Sequence, residues 1–132
     1  MAHWMRFDHE GSVGFGTISD GAINVHVGDM FESPKATDVL LALDDVVPLL
    51  PAPAGKMVAL WNNSRAMAAK TGQSEPEEPL YFIKGNGSYL PTGGVIRKPT
   101  TYDGKVIFEG ELGIVIGQVC RDVAESDSNE LI

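Results

Sequence analysis

Residues 106–117, Val-Ile-Phe-Glu-Gly-Glu-Leu-Gly-Ile-Val-Ile-Gly, constrain the fold more than any other part of this chain. Glu109 and Glu111 are their only polar side chains, and the β-branched Val106, Ile107, Ile114, Val115 and Ile116 favour an extended backbone. So apolar a run is expected to be a strand covered on both faces. Side chains two apart on a strand share a face, so the two carboxylates point the same way, with Gly110 between them leaving the opposite face open to close approach.

Two such charges about 5 Å apart repel by roughly 3 kcal/mol at an effective dielectric of about 20. Protonation of one, a neighbouring Arg or Lys, or a divalent cation would offset that repulsion. Hard oxygen ligands select magnesium, manganese or calcium over zinc. The bland alternative is an edge strand whose solvent face carries two glutamates, but such a strand should alternate with polar residues more than this one does.

Composition narrows the partners. A formal charge of −8 argues against nucleic acid or an anionic membrane. A small anionic substrate requires a local cation or metal to reverse the field. The single cysteine, Cys120, has no internal partner, so a reducing, cytoplasmic setting is expected. No apolar run approaches the roughly 20 residues that cross a bilayer, and the N-terminus carries no apolar signal segment.

Taken in order, the chain reads as mainly β (α+β). From Trp4 to His26, short apolar stretches punctuated by Gly11, Gly14, Gly16 and Gly21 form a small meander, with Ser19-Asp20-Gly21 as a turn before the strand Ala22–Val27. Gly14-Phe15-Gly16 has neither the third glycine nor the following helix of a nucleotide loop. His3, His9 and His26 are isolated and read as strand or surface residues. Asp38 to Leu43 is expected to form a short helical turn. The reading gives residues 1–50 to a small β domain, Pro51-Ala52-Pro53-Ala54-Gly55 to an extended linker, and residues 56–132 to a second domain.

In that second domain Lys56–Trp61 is a strand, and Asn62 or Asn63 caps a helix from Ser64 to Lys70 that Gly72 ends. The loop between such a strand and helix lies at a sheet end, where sites are commonly built. The acidic stretch from Gln73 to Pro79 is a solvated loop, Leu80–Lys84 a strand, and Gly85–Ser88 a loop. Ser126–Glu130 resembles a helix start. Among catalytic signatures, no C-x-x-C, H-E-x-x-H, G-x-S-x-G or P-loop pattern occurs.

The succession of a β-rich start, a Pro-rich linker, a strand into a short helix, Phe82-Ile83-Lys84, Ile96-Arg97-Lys98-Pro99 and Phe108-Glu109-Gly110-Glu111-Leu112-Gly113 resembles the fumarylacetoacetate hydrolase family. The resemblance implies that residues 56–132 are the first part of that family's mixed β-roll. It implies metal ligation by Glu109 and Glu111, completed by an aspartate about thirty residues further on, with magnesium, manganese or calcium as the ion. It implies a 1,3-dicarbonyl or oxo-acid substrate, cleaved, decarboxylated or isomerised through an enolate that the metal stabilises. Lys84 would be a catalytic or substrate-binding cation, and Arg65 a substrate-binding one.

Two departures from the family pattern stand in the sequence. Met67 and Lys70 occupy the positions that best match a water-activating histidine and glutamate, and Arg65 the alternative histidine position. The third carboxylate is expected some thirty residues past Glu111, where only 21 residues follow, and Asp122 and Asp127 lie too near Glu111 in sequence to match it. The expectation is therefore an enzyme working as a homo-oligomer or with a partner that supplies a missing C-terminal half. The alternative is a non-catalytic assembly module.

Overall fold

The computed structural model describes residues 2–53 and 55–132. Ala54 of the expected linker lies outside the described residues.

Four consecutive strands, β1 (His3–His9), β2 (Ser12–Ser19), β3 (Ala22–Asp29) and β4 (Glu32–Ala42), form an antiparallel meander, and the two-residue β5 (Val47–Pro48) closes the other side of β1. The order β4-β3-β2-β1-β5 follows from hairpins too short to do anything but place neighbours side by side. Asp20 and Gly21 both adopt left-handed backbone, with φ of 51° and 78°, the two-residue geometry whose twist matches the flanking strands. β4 runs through Asp38–Ala42, where a helical turn was expected. Cross-strand pairing of Leu40 with Asn24 and of Leu41 with Ile23 overrides the local pattern, and only Leu43–Asp45 takes a 3-10 turn. Pro34 is tolerated because β4 is an edge strand.

The core of this sheet lies on one face. Phe7 is 2% and Ile23 0% exposed; Val46 is buried with them, and Met5, Val25 and Leu41 pack around the cluster. Gly14 and Gly16 are there because β-carbons would collide: at Gly14 one would lie 2.8 Å from the Phe7 ring, and at Gly16 one would meet the Asn24 carbonyl oxygen and the Ile23 side chain. Their role is close packing, in agreement with the rejection of a nucleotide loop. The opposite face carries Trp4, Phe15 and His26, with the indole edge-on to the imidazole at 4.6 Å. Beyond β5 the chain stays tied to β1, where Arg6 Nη1 donates to the Leu50 carbonyl (2.9 Å) and Leu49 N–H to that of Arg6 (2.9 Å).

A second, two-stranded sheet pairs β6 (Met57–Trp61) with β7 (Leu80–Lys84), antiparallel from Met57↔Lys84 to Trp61↔Leu80. Between them α1 (Arg65–Thr71) is capped by Ser64, whose hydroxyl accepts from Met67 N–H. Asn62 and Asn63 do not cap it; the Asn62 amide donates instead to the Ser74 carbonyl (2.9 Å). Gly72 ends the helix at φ 71° as a left-handed C-cap, its N–H bonded back to the carbonyl oxygens of Ala68 and Ala69. Asn86–Ser88 and Glu125–Leu131 are 3-10 turns, the second in place of the helix start expected at Ser126–Glu130.

Residues 106–117 belong to neither sheet. Phe108 is 97% and Leu112 90% exposed, so the expected strand covered on both faces is corrected to an open, unpaired segment. The sequence pattern supplies β-competent side chains, but a strand also needs backbone partners, and no described strand lies along it.

Candidate functional site

The antiparallel register of β6 and β7 sorts the expected site residues by which end of the ribbon they occupy. Trp61 and Leu80 pair at one end; Met57 and Lys84 pair at the other. At the Trp61 end, Asn62 turns the chain at φ 54°, a left-handed conformation that asparagine tolerates well, and leads into α1. Trp61, Asn62, Gly72, Gln73, Ser74, Pro76 and Leu80 line an open groove of ≈ 440 Å³. The hydrogen bond from Asn62 to Ser74 ties its two rims together. Arg65, the first residue of α1, pairs through Nε with Glu75 Oε2 at 3.3 Å; Glu75 falls between lining residues Ser74 and Pro76 in sequence, but neither partner of the pair lines the groove.

Lys84 lies at the other end, about 13 Å from Leu80 along an extended strand. Its ammonium sits 5.7 Å from the centre of the Phe82 ring, and it has no carboxylate within ion-pair distance among the described residues. The structure thus separates the two expected substrate cations: Arg65 follows the Trp61 end of the ribbon in α1 and Lys84 lies at the other end, and neither lines the groove.

Glu109 and Glu111 are both exposed, in the unpaired segment. Their oxygens suit a hard divalent cation in kind. In number they fall short: no group of three or more His, Cys, Asp or Glu side chains able to hold a metal occurs among the described residues. Cys120 is free and exposed. Among the described residues, no helix is long and apolar enough to cross a membrane.

Comparison with known proteins decides the family. Residues 56–132, more than half of the chain, match the fumarylacetoacetate (FAA) hydrolase C-terminal model. The chain belongs to the fumarylacetoacetate hydrolase family. Residues 2–51 match a second model, Rv2993c-like, N-terminal. Among curated members of the family, the mitochondrial oxaloacetate tautomerase FAHD1 of Arabidopsis thaliana is 42% identical over 77 residues, which are 58% of this chain and 34% of that protein. Protein Rv2993c of Mycobacterium tuberculosis is 38% identical over 93 residues, 70% of this chain and 35% of its own length. The homoprotocatechuate catabolism bifunctional isomerase/decarboxylase of Escherichia coli is 32% identical over 101 residues, 76% of this chain and 23% of that one. A solved structure of an uncharacterized protein from Mycobacterium abscessus superposes with a TM-score of 0.51 at 33% identity, over 64% of this chain and 33% of that one. The chain therefore spans about a third of the length of the first two of these relatives.

The groove lies at the strand-to-helix loop where the sequence pointed to a site, but its other rim, Gly72 to Pro76, was read only as a helix end and a solvated loop. Two signals for that rim are present in hindsight: an asparagine directly after a strand-ending tryptophan, and a helix that Gly72 turns back.

Proposed function

We propose that this chain contributes to a metal-dependent enzyme acting on a small anionic oxo acid. The match of residues 56–132 to the FAA hydrolase C-terminal model carries the proposal, and the activities its relatives are named for, oxaloacetate tautomerase and isomerase/decarboxylase, give it direction. Glu109 and Glu111 are assigned as two oxygen ligands of magnesium, manganese or calcium. A bound cation of this kind supplies an electron sink for an enolate. Arg65 is assigned to the substrate carboxylate, where a planar fork of donors suits a planar acceptor. Lys84, free of carboxylate partners among the described residues, is assigned to a developing oxyanion; at about 13 Å from Leu80 along the strand it lies beyond the reach of one small oxo acid held at the Trp61 end, so in this arrangement the Arg65 and Lys84 assignments are alternatives. Tautomerisation or decarboxylation is favoured over hydrolysis, because Arg65, Met67 and Lys70 replace the side chains that would activate water.

The remaining ligand and the strand partners of residues 106–117 are assigned to a homo-oligomeric copy or to polypeptide of the kind that the relatives carry outside the matched third. Residues 1–50 and 56–132 are proposed as separate domains, in a cytoplasmic setting that keeps Cys120 reduced. A second reading, a non-catalytic assembly module, is favoured by one observation: among the described residues the two glutamates belong to no group of three or more side chains able to hold a metal.

Calorimetric titration of magnesium and manganese into the chain, with Glu109→Ala and Glu111→Ala alongside, separates the two. Saturable binding lost in both variants supports the enzyme. Absence of binding, in the chain alone and in its complexes with partner polypeptide, leaves the module.

A further inference from the structure

We propose that the N-terminal sheet carries a binding site for a small zwitterion, an α-amino acid with a short apolar side chain, held between Arg6 and Asp29. Arg6 and Phe15 are cross-strand neighbours on the sheet face opposite Phe7, and Asp29 ends β3 at the turn into β4. Arg6 and Asp29 both line a cavity of ≈ 190 Å³ whose apolar wall is Phe15, Met30, Phe31 and Pro53. Arg6 is half-buried and Asp29 exposed. The two are not within ion-pair distance of each other, and neither has another ionic partner among the described residues. Each is anchored by backbone instead: Arg6 Nη1 donates to the Leu50 carbonyl (2.9 Å), and Asp29 Oδ1 accepts from Phe31 N–H (2.8 Å).

These anchors fix both side chains while leaving hydrogen-bonding capacity over. Arg6 keeps Nε and Nη2 as donors and Asp29 keeps Oδ2 as an acceptor, none of them bonded to another side chain among the described residues. A guanidinium half-buried among aromatic rings has lost part of its hydration, which an incoming carboxylate replaces with charge-assisted hydrogen bonds. A simple anion gains from Arg6 but meets Asp29, and a simple cation meets the reverse. A molecule with both charges on one carbon satisfies both, and its side chain then faces the apolar wall. Because the two groups are already held, little ordering cost falls on binding. The volume sets the size, since it lies below the roughly 300 Å³ at which pockets for drug-sized ligands begin, so valine fits the class and tryptophan does not. None of the lining residues is among those assigned to the oxo acid or the metal, and the inference stands apart from that reading.

The test is calorimetric titration of L-valine into the full chain, with Trp4 fluorescence in a Trp61→Phe background as a second readout, since the Trp4 and Phe15 ring centroids lie 6.2 Å apart. Saturable binding is expected for L-valine and none for L-tryptophan. The oxo-acid counterpart 3-methyl-2-oxobutanoate, which lacks the ammonium, and isobutylamine, which lacks the carboxylate, should each bind about fivefold more weakly or worse. Arg6→Gln keeps a donor for the Leu50 carbonyl and should weaken valine about tenfold or more. Asp29→Asn should weaken valine about threefold while the oxo acid binds as well or better, because the variant removes repulsion from one ligand and attraction from the other. Glu32→Gln removes a nearby charge that does not line the cavity and should leave valine affinity within about twofold. Equal affinity for valine and its oxo acid in the unmutated chain overturns the proposal without recourse to any variant. So does unchanged valine binding in Arg6→Gln, a change in the same direction for both ligands in Asp29→Asn, or no saturable binding of valine. Far-ultraviolet circular dichroism confirms that each variant folds.

Discussion

Phe7 shows how much of the N-terminal sheet rests on single side chains. It is one of three residues in a small buried cluster, and its ring occupies the space that a β-carbon at position 14 would need. Phe7→Ala should therefore cost about 3–5 kcal/mol, the range for emptying a buried aromatic site, read as a shift of the urea midpoint followed by Trp4 fluorescence. Gly16→Ala meets backbone as well as side chain, since the Asn24 carbonyl cannot move without disturbing the β2–β3 ladder. It should destabilise by about 1–3 kcal/mol in the same experiment, whereas Gly110→Ala, with nothing within 4 Å, should shift the midpoint little. These glycines look alike in sequence. What distinguishes them is which atoms lie opposite, and that is a property of the register between strands.

At the scale of elements, α1 is a short helix that depends on its ends. Seven residues cannot hold a helix by propensity alone, so the Ser64 cap and the Gly72 turn matter more than the alanines between them. Ser64→Ala should cost about 0.5–1 kcal/mol, and Gly72→Ala about 1 kcal/mol because an L-residue must take φ 71°, both visible as lost helical ellipticity on mild heating. Both changes also loosen the groove, which shares Gly72 and is closed by the Asn62–Ser74 bond. The segment 106–117 is the opposite case. Its backbone N–H groups outside Gly117 face no ladder, so its amides should exchange with deuterium far faster than those of β1–β3, and they should become protected only when a partner strand is supplied. Rapid exchange that persists in every assembly would show that these residues are not a strand in the working protein.

For the whole molecule, the contrast lies between a sheet with a core and a ribbon without one. Residues 3–48 bury Phe7, Ile23 and Val46, but in residues 56–132 only Ala68 is buried, while Phe108, Leu112, Ile107 and Ile96 stand open. A surface of that kind is adhesive. Sedimentation velocity over a range of concentrations should show self-association that weakens in Phe108→Asp and Leu112→Asp, with the fold of residues 3–48 unaffected; a monomer at all concentrations would count against it.

By itself the sequence determined the local and the linear. Alternation and turn residues set the meander, an αL-tolerant glycine set the end of α1, and Leu80–Lys84 is a strand because four apolar or aromatic residues and Lys84 are bounded by Pro79 and Gly85. The order of its motifs also revealed the family, since a linear frame needs no three-dimensional context. Only the tertiary structure decided that Asp38–Ala42 extends β4, that Lys84 lies at the end of the ribbon away from the turn into α1 and Arg65, and that Glu75 pairs with Arg65. It also decided that Glu109 and Glu111 stand on unpaired backbone. The reason is common to all four: each depends on which strand lies alongside or which side chain folds back, and pairing between distant segments is fixed by register and backbone hydrogen bonding, which hydrophobic pattern constrains but does not choose.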